Sequence, residues 1–183
     1  MKNILVIVDA QNDFIDGALG TKEAVNCIPN ICNKIKEFTD GIIITTQDTH
    51  KPDYLSTKEG GVLPVEHCIE FSNGWGINVN VASSIVAKVA IDSSVNFDGV
   101  KKPTFGSTEL AEKISEYVGD EEFNITFVGF CTDICVISNA LLIKTLFYEK
   151  ANIFVDSTCC AGVTPEKHNA ALEVMKSCQI NVI

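Results

Sequence analysis

The sequence predicts an α/β fold, a three-layer α-β-α sandwich around a mostly parallel sheet of about six strands. Three observations predict it. Short apolar runs rich in β-branched residues recur along the whole chain. Segments with apolar residues at helical spacing alternate with them. Polar residues able to carry chemistry fall just after the runs, where α/β sheets present their sites.

The first run, Ile4–Val8, reads as a strand buried on both faces. It is too short, and too soon closed by Asp9, to be the core of a secretory leader. Ile28, Ile31, Ile35 and Phe38 then recur at helical spacing, with Pro29 expected near that helix's start. Gly41–Thr45 is a second strand. From Gln47 to Gly76 the chain is irregular, broken by Pro52, Gly60-Gly61, Pro64, Gly74 and Gly76. A loop this long inside a compact domain is usually functional. A helix within 79–90 and a strand near 96–101 are expected next. Leu110, Ile114 and Val118 mark a helix, Ile125–Gly129 a strand, and Val136, Ala140, Ile143 and Phe147 another helix. Ile153–Asp156 is the next strand. Thr164-Pro165 opens a last helix carrying Ala171, Leu172 and Met175, and Ile180–Ile183 ends the chain as a strand. With no repeat and no linker, residues 1–183 read as one domain.

Composition narrows the function. The chain is 46% hydrophobic and 21% charged, with mean hydropathy +0.19, which suits one packed core and argues against disorder. No apolar run nears the roughly 20 residues that span a membrane, so a cytoplasmic protein is expected. The net charge is −10, and Lys101-Lys102 is the only adjacent basic pair, so the chain should repel nucleic acid. Its eight cysteines form no CxxC pair. They are expected to be reduced small hydrophobes, with one exception.

That exception is Cys135. Thr132 or Asp133 is the expected cap of the following helix, which puts Cys135 in its first turn. There the helix dipole and free N–H groups would favour a thiolate and hold an oxyanion. Cys131 is the weaker nucleophile. Asp9 follows the first strand, Asp48 and His50 the second, and Lys102 the third. Asp48-Thr49-His50 puts two ligands on one side of an extended segment. His67 lies 17 residues beyond His50. An Asp and two His leave open positions on Zn, Fe or Mn, with Glu59 as a possible fourth ligand. The third histidine, His168, is expected at the surface. A phosphatase-type CxxxxxR is ruled out because position 141 is Leu.

These residues fall in recognisable segments. ILVIVDAQNDF resembles the opening of the isochorismatase-like cysteine hydrolases. VGFCTDICVISNA resembles their nucleophile segment, and KPTFGSTEL the segment supplying their lysine. The resemblance spans essentially the whole chain and implies an isochorismatase-like hydrolase fold. It implies Asp9, Lys102 and Cys135 as a catalytic triad. It also implies a cis peptide at Phe130-Cys131, with the backbone N–H groups of Cys131 and Cys135 as an oxyanion hole.

Within that family, Asp48, His50 and His67 resemble the metal set of nicotinamidases, implying a divalent metal beside the substrate ring and a place in NAD salvage. The nicotinamidase Trp-Pro-x-His segment is here Leu63-Pro64-Val65-Glu66-His67. Phe14, Phe105 and Trp75 are the aromatic residues expected to line the pocket instead. The expected reaction is hydrolysis of a small carboxamide, nicotinamide to nicotinate plus ammonia, through a Cys135 thioester. The alternative is another small amide, or a vinyl ether such as isochorismate. Relatives often assemble, so a homo-oligomer is expected.

Overall fold

The structure, a computed structural model, describes residues 1–183. Six strands form one sheet: β1 Lys2–Val8, β2 Gly41–Asp48, β3 Val95–Lys102, β4 Phe123–Phe130, β5 Ala151–Ala161 and β6 Asn181–Val182. Their order is β3-β2-β1-β4-β5-β6, and every neighbouring pair is parallel. Parallel pairing needs a crossover between successive strands, and amphipathic helices supply it. Helices α1 (Asn12–Ile15), α2 (Lys22–Glu37) and α4 (Val79–Ile91) pack with the core on one face of the sheet. Helices α5 (Thr108–Val118), α6 (Ile137–Phe147) and α7 (Pro165–Ser177) pack with the core on the other. The short α3 (Lys58–Val62) lies in the long loop after β2.

Strand order reverses between β1 and β4, so the crevice at their carboxyl ends is where a doubly wound sheet binds ligands. Backbone packing there is tight. Gly129 in β4 has φ +115°, and a Cβ on it would stand 2.0 Å from the Val8 carbonyl oxygen. Only glycine lets β4 lie this close to β1 while turning into the next residues. The peptide Phe130-Cys131 that follows is cis, as the resemblance implied.

The predicted elements are all present, with three differences. Pro29 lies at the eighth position of α2, not near its start. The helix begins earlier because Thr21 caps it, accepting the Ala24 N–H. Burial of Ile28, Ile31 and Ile35 outweighs the hydrogen bond that proline removes. The segment 47–76 is less irregular than expected: β2 runs on to Asp48, and α3 is capped by Thr57. Finally, β5 continues five residues beyond Asp156, through Cys159 and Cys160.

Candidate active site

Four strand ends converge in the crevice. Asp9 follows β1 directly, Asp48 ends β2, Lys102 ends β3, and Cys135 lies just after β4. All four are buried. Lys102 Nζ is 2.6 Å from Asp9 Oδ2, 3.5 Å from Cys135 Sγ and 3.6 Å from Asp48 Oδ1. One ammonium thus touches both carboxylates and the thiol. Lys101, its neighbour, points outward and pairs with Glu70.

Asp9 has φ +46°, a conformation that short polar side chains tolerate better than most. Its Oδ1 accepts the Thr46 hydroxyl at 2.6 Å, and its backbone N–H donates to the Thr46 carbonyl at 3.2 Å. Its Oδ2 has no hydrogen-bond partner beyond the Lys102 contact.

The charges are strongly perturbed. Burial raises Asp9 above the ordinary carboxylate range, against the pull of Lys102. Burial also drives the Cys135 thiol well above its ordinary value, and Asp9 adds to this. Burial disfavours the Lys102 ammonium, but the charges of Asp9, Cys135 and Asp48 hold it above its usual range. The expectation that a helix start would favour a free thiolate is therefore corrected. Cys135 sits in a wide π-type turn, Thr132–Val136, where loss of water outweighs the dipole.

Neither Thr132 nor Asp133 caps that turn, another correction. The residue at the cap position is Cys131, without a side-chain bond. Asp133 Oδ1 accepts the Val163 N–H at 2.9 Å, and the Thr132 hydroxyl bonds His168 Nδ1 at 2.8 Å. His168 is accordingly half-buried and not at the surface.

The metal-donor residues meet beside this group. Asp48, His50, Glu59 and His67 each offer a ligand atom, all within 4.8 Å of one another. His50 Nε2 is 3.0 Å and His67 Nε2 3.6 Å from Asp48 Oδ2, and Glu59 Oε1 is 3.7 Å from His50 Nε2. His67 Nδ1 donates to the Val65 carbonyl at 2.8 Å, which leaves Nε2 as the inward lone pair. Burial would raise the Asp48 carboxyl, yet its bonds to both histidines, together with Lys102, hold it well below the carboxylate range. Two imidazoles and two carboxylates facing one point fit a divalent cation. Tyr54 packs on both imidazoles, with ring centroids 4.6 and 4.9 Å away.

A cavity of about 690 Å³ opens onto these groups. Asp48, His67, Cys131 and Cys135 lie on its wall, with Phe14, Leu63, Phe105 and Ile134 as apolar lining. Phe14 packs edge-on to His67 at 5.7 Å. Trp75, expected in this pocket, is elsewhere. It lines a separate surface groove with Phe71, because its Nε1 donates to Thr49 Oγ1 and its ring lies under the Lys101 ammonium. A third, uncharged depression lies between α4 and β2–β3, away from these groups.

Sequence reasoning missed four residues here. Thr46 orients Asp9. Tyr54 backs the histidines. Gln11 bonds the Asp48 N–H through Oε1 and the Asp48 carbonyl through Nε2. Asn139 donates to the carbonyls of Cys135 and Phe105 and accepts the Ser107 N–H. Gln11 and Asn139 lie within quoted motifs, which was the only available signal; Tyr54 had none.

The isochorismatase domain family matches residues 3–183. No curated protein matches the chain in sequence. Among solved structures, the chain is similar to a pyrazinamidase of Pyrococcus horikoshii in complex with zinc (24% identity, TM-score 0.76, 100% of this chain and 99% of that one). It is similar to the nicotinamidase/pyrazinamidase of Bacillus subtilis (24%, TM-score 0.80, 100% and 99%). It is also similar to the pyrazinamidase/nicotinamidase of Streptococcus mutans UA159 (21%, TM-score 0.79, 100% of both). At these identities the likeness shows a shared fold.

Proposed function

This chain belongs to the isochorismatase family, and from that premise we propose that it hydrolyses a small carboxamide, with nicotinamide to nicotinate plus ammonia as its reaction. The observation that carries the proposal is Asp48, which contacts Lys102 through one oxygen and both histidines through the other. It joins a nucleophile group to a cation site in one cavity. A pyridine amide offers a group to each, its carbonyl carbon to the thiol and its ring nitrogen to a cation. The three solved structures described above are a pyrazinamidase with zinc and two nicotinamidase/pyrazinamidases, which supports the same reading.

In this reading Asp9 takes the Cys135 proton. The site's net charge does not change, because the negative charge moves from Asp9 to sulfur while staying against the Lys102 ammonium. Moving a proton within a buried group costs far less than creating a new buried charge. The thiolate attacks the amide carbon, and the N–H groups of Cys131 and Cys135 hold the oxyanion. The C–N bond breaks as Asp9 returns its proton to the leaving ammonia. Water then cleaves the thioester, releasing the carboxylate and restoring the thiol. Asp48, His50, His67 and Glu59 would hold a divalent metal. When bound, it would supply a Lewis acid for a ring nitrogen of the substrate.

The test is ammonia release from nicotinamide by undialysed protein, beside pyrazinamide, larger aryl amides and isochorismate. Turnover of nicotinamide or pyrazinamide at an ordinary enzymatic rate supports the reading. Turnover confined to isochorismate or to a non-pyridine amide overturns the substrate assignment and leaves the family.

A further inference from the structure

We propose that His168 is a positioning residue, which sets the place of the nucleophile turn through Thr132. The inference rests on Cys135 being the nucleophile. The turn Thr132–Val136 is wide and starts without a side-chain cap, unlike α2, α4, α5 and α7, each of which has one. A wide turn with no local cap must be held from outside.

Besides the Asn139 bond to the Cys135 carbonyl, two tethers run from consecutive residues of the turn, and both end on one segment. Asp133 Oδ1 takes the Val163 N–H, and Thr132 bonds His168 Nδ1 at 2.8 Å. The segment must come close to do this. A Cβ on Gly162 would lie 2.7 Å from Asp133 Oδ1 and 2.9 Å from the His168 backbone nitrogen, so glycine is required. Thr132 is 0% exposed, and His168 is the sole side-chain partner of its hydroxyl. A buried hydroxyl without a partner is costly, so this bond is strongly enforced. Burial also lowers the His168 pKa against the effect of Asp133, which favours the neutral ring.

Thr132 follows Cys131 and precedes Cys135 by three residues. A shift at Thr132 therefore moves both the thiol and the N–H of Cys131 relative to Asp9 and Lys102. Displacements well under an ångström at a reacting centre already lower rates.

The experiment compares His168→Ala, His168→Asn and Thr132→Val. Asparagine can place a polar atom where Nδ1 stands; alanine cannot. Two readouts are used: steady-state kinetics on the amide, and iodoacetamide alkylation followed at the Cys135 peptide, with exposed Cys178 as internal reference. His168→Ala is expected to lower kcat by at least about 10-fold with KM within about 2-fold. It should slow Cys135 alkylation several-fold and leave Cys178 alone. His168→Asn should restore most of both. The double variant Thr132→Val/His168→Ala should be no worse than the poorer single variant.

Unchanged Cys135 alkylation in both His168→Ala and Thr132→Val overturns the proposal. So does additivity in the double variant, or a loss that merely follows the folded fraction and that asparagine does not rescue. Alkylation needs no substrate, so it decides the matter even where the proposed amide reaction fails.

Discussion

Cys135 is a poor nucleophile on its own. It is 4% exposed, its thiol is raised by burial, and a carboxylate beside it raises it further. In the proposed reaction its reactivity would depend on Asp9 as acceptor of the proton and on Lys102 as the charge beside both. Cys135→Ala should remove ammonia release by at least about 1000-fold. Its melting temperature should stay close to that of the parent, since the side chain is small and the turn is held elsewhere. Full turnover by the variant would dismiss the nucleophile. The proposed metal donors can be tested separately. His67→Ala removes a proposed ligand whose Nε2 is aimed inward by its bond to Val65. It should weaken binding of a divalent metal at least about 10-fold, read as metal per chain after equilibrium dialysis. Equal metal content in both proteins would show that His67 is not a ligand.

At the scale of elements, the helices divide by task. α2, α3, α4, α5 and α7 each start on a side chain that accepts an N–H of the first turn: Thr21, Thr57, Asn78, Ser107 and Thr164. The turn leading into α6 has residues of capping type, Thr132 and Asp133, but their side chains are used to reach the segment before α7. Within α6, Asn139 ties three pieces together: the Cys135 carbonyl, the Phe105 carbonyl and the Ser107 N–H. It is 0% exposed, so truncation leaves these groups without a partner and without water. Asn139→Ala should cost about 3 kcal/mol, measured by urea unfolding. A loss below about 0.5 kcal/mol would mean that the three bonds contribute little.

At the scale of the molecule, ion pairs link helices to the sheet, and one of them has a buried carboxylate. Lys34 on α2 reaches Asp156 on β5. Burial would raise Asp156, but the Lys34 and Thr158 bonds lower it below the ordinary carboxylate value. A carboxyl with a lowered native pKa stabilises the fold above its unfolded pKa, and that contribution is lost as pH falls through the native value. Asp156→Asn should therefore destabilise the fold near neutrality and flatten the fall in melting temperature below about pH 4. An unchanged acid limb in the variant would rule the pair out as a contributor.

The sequence by itself determined the layered α/β fold, the succession of strands and helices along the chain, and the residues that meet in the crevice. Those properties follow from local periodicity and from a rule of topology: a parallel sheet with helical crossovers gathers its strand ends on one edge. Asp9, Asp48, Lys102 and Cys135 lie at or just after such ends, and their meeting was legible for that reason. Tertiary structure alone decided the rest. Trp75 left the pocket because a hydroxyl at Thr49 and an ammonium at Lys101 hold it elsewhere. Pro29 sits mid-helix because burial of its neighbours outweighs a lost hydrogen bond. The Cys135 thiol is raised because the folded chain excludes water from it. His168 reaches Thr132 across 36 positions of sequence, a contact that no local pattern encodes. Periodicity reports which face of an element is buried; it does not report which partner a buried polar atom finds once the layers close.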